Sequence, residues 1–454
     1  MANSDRRAFQ KYSADIKIAE EGMLKGLKFG LLAGTALAVT GIAAADGHDD
    51  IEARIAALEA MVAELKADLA AERADVDEAI VRLDSVERAT ATDRAFATNT
   101  GFMVGDTTFK LAGFIDIDAH ATTLSDGGIG SNSIARDFYI PSATPVGGSE
   151  TSFTDITAQA SRFAVTAQKP AGDKTITGYL ELDFLGSAQG NELVSSSFSP
   201  RLRRAYIDYG NWRVGQEWST FQNTSAIPES ASFLILSDGM VFVRQAQVRY
   251  TNGNWQFAVE NPNTTSLNIG SRDENLLPDV VARYNMSGDF GNVSIAGLGR
   301  QLRAEGPGLD EETYGYGLSV AGRVKVGEKD DIRFNLTGGE GIGRYIGLAA
   351  SRATALDPNG ELEAIPSYGG LVAWRHPFGE TARFNIGYSG LFVDNPTYLG
   401  GGVTKSVQSA YGAVLWEMAP KVTTGVELIH GIRELESGAE GDITRVTFST
   451  KYAF

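Results

Sequence analysis

The side chains best placed to do chemistry in this sequence are charged residues set on alternate positions of extended chain. The densest set lies in "RLRRAYIDYGNWRVGQEW", residues 201–218, which breaks once at Gly210-Asn211. Alternation puts Arg204, Asp208, Arg213 and Glu217 on one face of two strands joined by a tight turn. A guanidinium grips a carboxylate through two parallel N–H bonds. A row of such groups beside water concentrates small anions and repels cations.

Extending the same alternation along the chain puts Arg162, Arg204, Arg213, Arg249, Arg283, Arg323, Arg333, Arg375, Arg383 and Arg445 on the polar face, with Arg300, Arg433, Lys325 and Lys451. The ten arginines named first are the candidate pore-lining, anion-attracting residues. The acids on that face are fewer: Asp116, Asp118, Glu181, Asp183, Asp208, Glu217 and Glu427. A structural reading competes for each arginine, since Asp208, Glu217 and Glu181 lie within reach on neighbouring strands and could serve only to stiffen the sheet. The summed bias toward positive charge says more than any one residue.

A period of two runs through residues 103–454. In "FKLAGFIDIDAH", Phe109, Leu111, Ile115 and Ile117 oppose Lys110, Asp116, Asp118 and His120; "ITRVTFSTKYAF" repeats the scheme. Short turn clusters at "PAGD", "YGNW", "TNGN", "SGDF", "GEKD", "PFGE" and "APK" alternate with longer polar or glycine-rich stretches at 123–154, 187–199, 219–238, 261–277, 303–311, 341–364, 395–404 and 434–441. Seven turns and eight loops join sixteen strands. A β-propeller also repeats at about forty residues, but here each repeat holds two long strands and no blade motif. The fold class expected is an all-β transmembrane barrel of about sixteen antiparallel strands.

A sheet that crosses hydrocarbon must close so that no backbone group is left unpaired. Charge on the lipid side costs about 2–4 kcal/mol at midplane, so the charged face is the inner one. Sixteen strands enclose more space than side chains fill, which predicts an aqueous channel. The loop "STFQNTSAIPESASFLILSDG" follows the fifth strand. It could cap the exterior or meet a neighbouring subunit, but folding inward to narrow the channel is the favoured reading.

Ahead of the barrel the sequence changes character. Residues 23–45 read as a signal peptide: Lys25 and Lys28, an apolar run "FGLLAGTALAVTG", then an Ala-Ala-Ala cleavage site. The apolar run is short of the roughly 20 residues a membrane helix needs. Residues 1–22 would precede any normal signal, and "EEGM" before Met23 looks like a translated ribosome-binding site, so a mis-called start is expected. Residues 46–88 form an α-helical periplasmic coiled coil, with a 4-3 seam from Ile51 through Ile55, Leu58, Val62, Leu65 and Leu69 to Val86. At 1.5 Å per residue it would make a rod of roughly 50 Å. Its mixed seam is compatible with three strands. Residues 89–102 form a Thr/Ala-rich linker.

With 454 residues, no cysteine and a net charge of −17, the chain has no disulfide framework or thiolate metal site, and nucleic acid is an unsuitable partner. The acidic excess lies in the rod, the loops and the N-terminal precursor segment. No cofactor or metal site is expected: "DPNGELE" (357–363) lacks the spacing of a calcium loop. An enzyme needs a nucleophile beside a positioned base, and none of His48, His120, His376 and His430 adjoins such a signature. A tether between outer membrane and cell wall is the second alternative, though no wall-binding module precedes the rod.

"ASRFAVTAQKPAGDKTITGYLELDFLG" followed by "RLRRAYIDYGNWRVGQEWSTFQNTSAIPES" resembles the DcaP-like trimeric outer-membrane porins of Gram-negative bacteria. The likeness spans residues 102–454 and is most specific in its first third. It implies a homotrimer seated among outer-membrane lipid and lipopolysaccharide, an N-terminal periplasmic helical segment, and diffusion favouring dicarboxylates and other small anionic solutes. It carries Arg162, Arg204 and Arg213 over as pore-wall cations.

Overall fold

The computed structural model describes residues 59, 60, 62, 63, 66, 97, 98, 101–186, 197–272 and 274–454. The chain divides into two units, Met1–Thr92 and Asp93–Phe454. In the first, the five described residues are helical. The upstream extension, the signal peptide and the rest of the coiled coil lie outside the described residues.

The second unit is a closed antiparallel barrel. Its strands are β1 (Thr107–Leu124), β2 (Thr151–Thr157 continuing as Arg162–Ala171), β3 (Lys174–Asp183), β4 (Arg201–Tyr209), β5 (Trp212–Trp218), β6 (Arg244–Asn252), β7 (Trp255–Glu260) and β8 (Asp279–Gly288). There follow β9 (Gly291–Gly306), β10 (Leu309–Val326), β11 (Asp330–Glu340), β12 (Pro366–Phe378), β13 (Ala382–Val393), β14 (Thr404–Ala419), β15 (Val422–Leu435) and β16 (Glu440–Ala453). Each pairs with the next, and β16 pairs with β1 from Ile443↔Leu124 to Ala453↔Phe114, which shuts the seam. Reciprocal bonds between Gly113 and Phe454, of 3.4 and 3.1 Å, finish that seam. A short strand, Gly101–Val104, folds back on the start of β1.

The alternation sorts the side chains as hydrocarbon requires. Ile115, Ile117, Phe163, Ile207, Val214, Phe257, Leu318, Leu336, Val426 and Phe448 are exposed on the outer face, whereas Asp116, Asp118, Glu181, Asn335 and Thr447 alternate with them and are buried. Aromatic residues gather at the tight-turn end, where Trp212 packs on Tyr250 and Trp255 on Tyr284, both with ring centroids 4.8 Å apart. Apolar bands edged by aromatic girdles are the mark of a barrel whose solvent is lipid.

Two details differ from the sequence expectation. The connections at 303–311 and 434–441 are tight turns rather than long loops: β9 and β10 stay in register out to Gly306↔Leu309, and β15 and β16 to Glu434↔Glu440. The polar residues there read as loop because those hairpins rise into water, where neither face needs to be apolar. The bore is also not uniformly polar. Loops 125–150, 219–243 and 341–365 fold inward and build an apolar filling, in which Phe138, Tyr139, Leu234 and Leu236 pack on Leu371, Tyr411, Leu415 and Ile429 of the wall. A second cluster joins Phe221, Val241, Ile342, Tyr345 and Ile346. Loops 261–278 and 341–365 also pair as a four-stranded sheet.

Glycines on the inner face make room for these loops. A Cβ on Gly387 would come within 2.6 Å of Leu236, and one on Gly431 within 2.7 Å of Tyr139. Backbone meets backbone at Gly239, where a Cβ would lie 2.2 Å from the carbonyl oxygen of Gly370 in β12.

Candidate functional site

A register shift between β3 and β4 builds the first charged array. Glu181 pairs with Arg204 but Leu182 pairs with Leu202, so Arg203 is an extra residue in β4. Such a bulge rotates the chain so that consecutive residues share a face. Arg201, Arg203, Arg204, Tyr206 and Asp208 thus all reach the interior. Simple alternation from Asp208 put Arg204 inside and missed Arg201 and Arg203, because nothing local in the sequence marks the bulge.

Each guanidinium in this array has wall carboxylates as partners. Arg201 grips Asp183 through two bonds of 2.8 Å; Arg203 donates to Glu181 and Asp183 at 2.7 Å each. Arg204 holds Glu217 at 2.6 and 2.7 Å, and Arg213 holds Asp208 at 2.7 and 2.8 Å while donating to Glu217 at 2.7 Å. Arg162 lies 3.8 Å from Glu181. Tyr179 and Tyr206 stack at 5.1 Å, with Arg213 3.9 Å above Tyr206 and Arg204 4.7 Å from Tyr179. The rings and carboxylates fix guanidinium planes that would otherwise sample many rotamers.

The opposite wall meets residues 219–243, the loop expected to fold inward, and it does so as a belt. Asn223 bonds to Asn292 and Ser294 of β9, Arg283 of β8 donates to the Gln222 carbonyl at 2.6 Å, and Arg333 of β11 to the Ile227 carbonyl at 2.7 Å. Glu229 bonds to Arg375 at 3.0 Å and to Arg383 at 2.7 Å. Further on, Glu427 of β15 receives the Ala231 amide at 2.9 Å and the Ser232 hydroxyl at 2.6 Å. Asp238 receives the hydroxyls of Tyr139 and Ser409. Among the described residues no cation touches Asp238, and burial pushes its carboxyl up to about 6. Burial acts the same way on Glu229, but Arg383 and Arg375 outweigh it and hold that carboxyl below the usual glutamate range.

All ten sequence-predicted arginines lie on the inner face, in three settings. Arg162, Arg204, Arg213, Arg333, Arg375 and Arg383 are paired with acids. Arg249 and Arg445 are interior but covered: Arg249 donates to Thr220 and Gln247, and Arg445, 1 % exposed, to Thr122 and the Ala135 carbonyl. Among the described residues Arg283 bonds to Asn285 and the Gln222 carbonyl, and Arg323, exposed opposite Arg333 in the register, has no ion pair. Arg300 pairs with Asp279 and Lys451 with Asp116, while Arg433 donates to the Ser142 carbonyl.

Sequence reading missed the interior acids Glu229, Asp279 and Asp331. Asp279 and Asp331 stand at strand ends, where alternation had no anchor, and Glu229 lies in a loop. His120, His376 and His430 bond to Thr447, Asp330 and Thr444. Asp357 uses its carboxylate to cap the amides of Asn359 and Glu361, each at 2.8 Å.

No curated protein matches this sequence. The fold is similar to the outer membrane channel DcaP of Acinetobacter baumannii, at 24% identity and TM-score 0.66, covering 79% of this chain and 99% of that one. More distant are an anion-selective porin from Comamonas acidovorans (12% identity, TM-score 0.48, covering 77% of this chain and 100% of that one) and the trimer form of OmpT from Vibrio cholerae (13% identity, TM-score 0.48, covering 77% and 99%). The family described as "DcaP outer membrane protein" matches residues 56–454. An outward apolar band, an inward charged wall and this match together place the chain in the outer membrane with a porin fold, and it belongs to the DcaP outer membrane protein family.

Proposed function

We propose that this protein is an aqueous diffusion channel for small anions, carboxylates and dicarboxylates among them, and that it performs no catalysis. The observation that carries the reading is the residue of positive charge left after pairing. The wall acids neutralise much of the β2–β5 array, but Arg283 and Arg433, both half-buried, bond to neutral groups, and Arg323 is exposed, with no ion pair to any of the three among the described residues. Fixed guanidinium charge beside water in a low-dielectric wall raises the local anion concentration.

A solute would pass between the belt and the β2–β5 array. Arg162, Arg204 and Arg213 are partly exposed there, with side chains 22–26% accessible. Their partners hold the forks in place without covering them, so a carboxylate meets donors already oriented. Weak, repeated contacts of this kind let an anion enter and also leave.

The channel is further proposed to work as a homotrimer with the coiled coil of residues 46–88 in the periplasm, following the seam of the rod in the sequence and the resemblance to DcaP-like trimeric porins. Reversal potentials across planar bilayers in a potassium chloride gradient test the reading. Chloride preference is expected, and potassium preference would overturn the assignment of the wall charge.

A further inference from the structure

The counter-ion of Arg375 and Arg383 differs in origin from those of the β2–β5 array, because it is supplied by a loop. Arg383 Nε lies 2.8 Å from each oxygen of Glu229, and Arg375 Nε lies 3.0 Å from Oε2. Two forks converging on one carboxylate are what recognition of a free carboxylate requires. The cluster is open to water: side-chain exposure is 25% for Glu229, 27% for Arg375 and 17% for Arg383.

The belt does not depend on that carboxylate for its position. Its backbone is fixed on either side, at the Ile227 carbonyl by Arg333, at the Glu229 carbonyl by Tyr411 Oη (3.0 Å), and at the Ala231 amide by Glu427 (2.9 Å). The Glu229 side chain can therefore swing away while the chain stays put. Its departure leaves two guanidiniums short of negative charge. Asp331 cannot replace it, being 3.5 Å from Arg375 and bound to Arg333 at 2.9 Å.

We propose that Arg375 and Arg383 form a binding subsite for the carboxylate of a small organic anion, and that Glu229 is its resident occupant, displaced by the solute in passage. The proposal rests on the channel reading above and adds an internal competitor to it. Where the solute's carboxylate arrives as that of Glu229 leaves, both guanidiniums keep a counter-ion, which lowers the electrostatic barrier to entry and exit. The ligand class is any small organic anion with one free carboxylate, or one end of a dicarboxylate.

The test uses the full chain in planar bilayers, with sodium acetate as the probe and reduction of chloride current as the readout. An occupant that fills the clamp most of the time lowers apparent affinity by the fraction left free, so Glu229→Gln is expected to tighten acetate association roughly 10-fold or more. Glu229→Asp, which keeps the charge but shortens the reach, is expected to fall between. Adding Arg375→Gln and Arg383→Gln to Glu229→Gln is expected to abolish the gain. Heat-modifiable migration on gels verifies the fold of each variant. Wild-type affinity in a folded Glu229→Gln channel, or a gain that survives loss of both arginines, overturns the subsite. Absence of any current from wild-type protein would instead defeat the channel reading.

Discussion

The two charged walls of the barrel are built from the same residue types but neutralised from different places. Across β2–β5, every carboxylate facing the arginines comes from a strand, so counter-charge is fixed by the same ladders that close the sheet. Across β11–β13, the central carboxylate comes from the belt. Strand acids make an arginine array permanent, whereas a loop acid makes it exchangeable. One barrel thus holds a rigid track and an adjustable clamp.

The largest effect that would break this comparison lies in the rigid wall. Asp183 is fully buried and joins Arg201 to Arg203, itself 2% exposed. Asp183→Asn should cost about 3–5 kcal/mol, because it breaks a buried ion pair, leaving Arg203 with Glu181 as its one carboxylate and taking the charge from the partner of Arg201, and unfolding in denaturant with lipid present would measure it. A loss under about 1 kcal/mol would mean that the track is as replaceable as the clamp.

Next is the seating of the belt. Gly239→Ala drives a Cβ into the Gly370 backbone, and neither partner has a side chain that can yield. Overpacking should cost about 1–3 kcal/mol, with faster amide exchange confined to residues 219–243. Exchange spread evenly around the barrel would show that belt and wall unfold together.

A smaller effect follows pH. The folded pKa of Asp238, about 6, is raised above the ordinary aspartate value, so protonation favours the docked belt. That stabilisation is complete below about 3.8 and is lost as pH rises through about 6. Amides near Asp238 should exchange more slowly at pH 5 than at pH 7.5 after correction for intrinsic rates, and Asp238→Asn should remove the difference. The smallest expected effect is Glu229→Gln on stability: partly exposed ion pairs contribute under about 1 kcal/mol, so its denaturation midpoint should stay near that of the wild type. A loss comparable to that of Asp183→Asn would make Glu229 a structural strut.

Much of the wall could be read from sequence, for a physical reason. Lipid enforces a strict period of two, so Ile115, Ile207 and Phe448 reveal by elimination which way Asp116, Arg204 and Arg445 face. The inward course of residues 219–243 could be read from an apolar "FLIL" after a proline, a combination ill suited to water. The Arg203 bulge could not, since it is decided by register against β3. Nor could Glu229's partnership, which joins residues 146 and 154 positions apart through packing alone. The length of the β9–β10 hairpin was hidden because outside the bilayer the alternation that betrays a strand has no cause.

The seam has a consequence for biogenesis. Its strands are the most distant pair in the sheet, with Asp118 opposite Ser449 in the register and Lys451 held by Asp116. Local hairpins can zip early, but this junction must wait for more than three hundred intervening residues to be in place, and closure of that span is slow. Until then two bare edges offer their amides and carbonyls to any passing strand. This architecture therefore favours an escort that shields those edges, or a membrane template that pairs with them temporarily, until the seam closes.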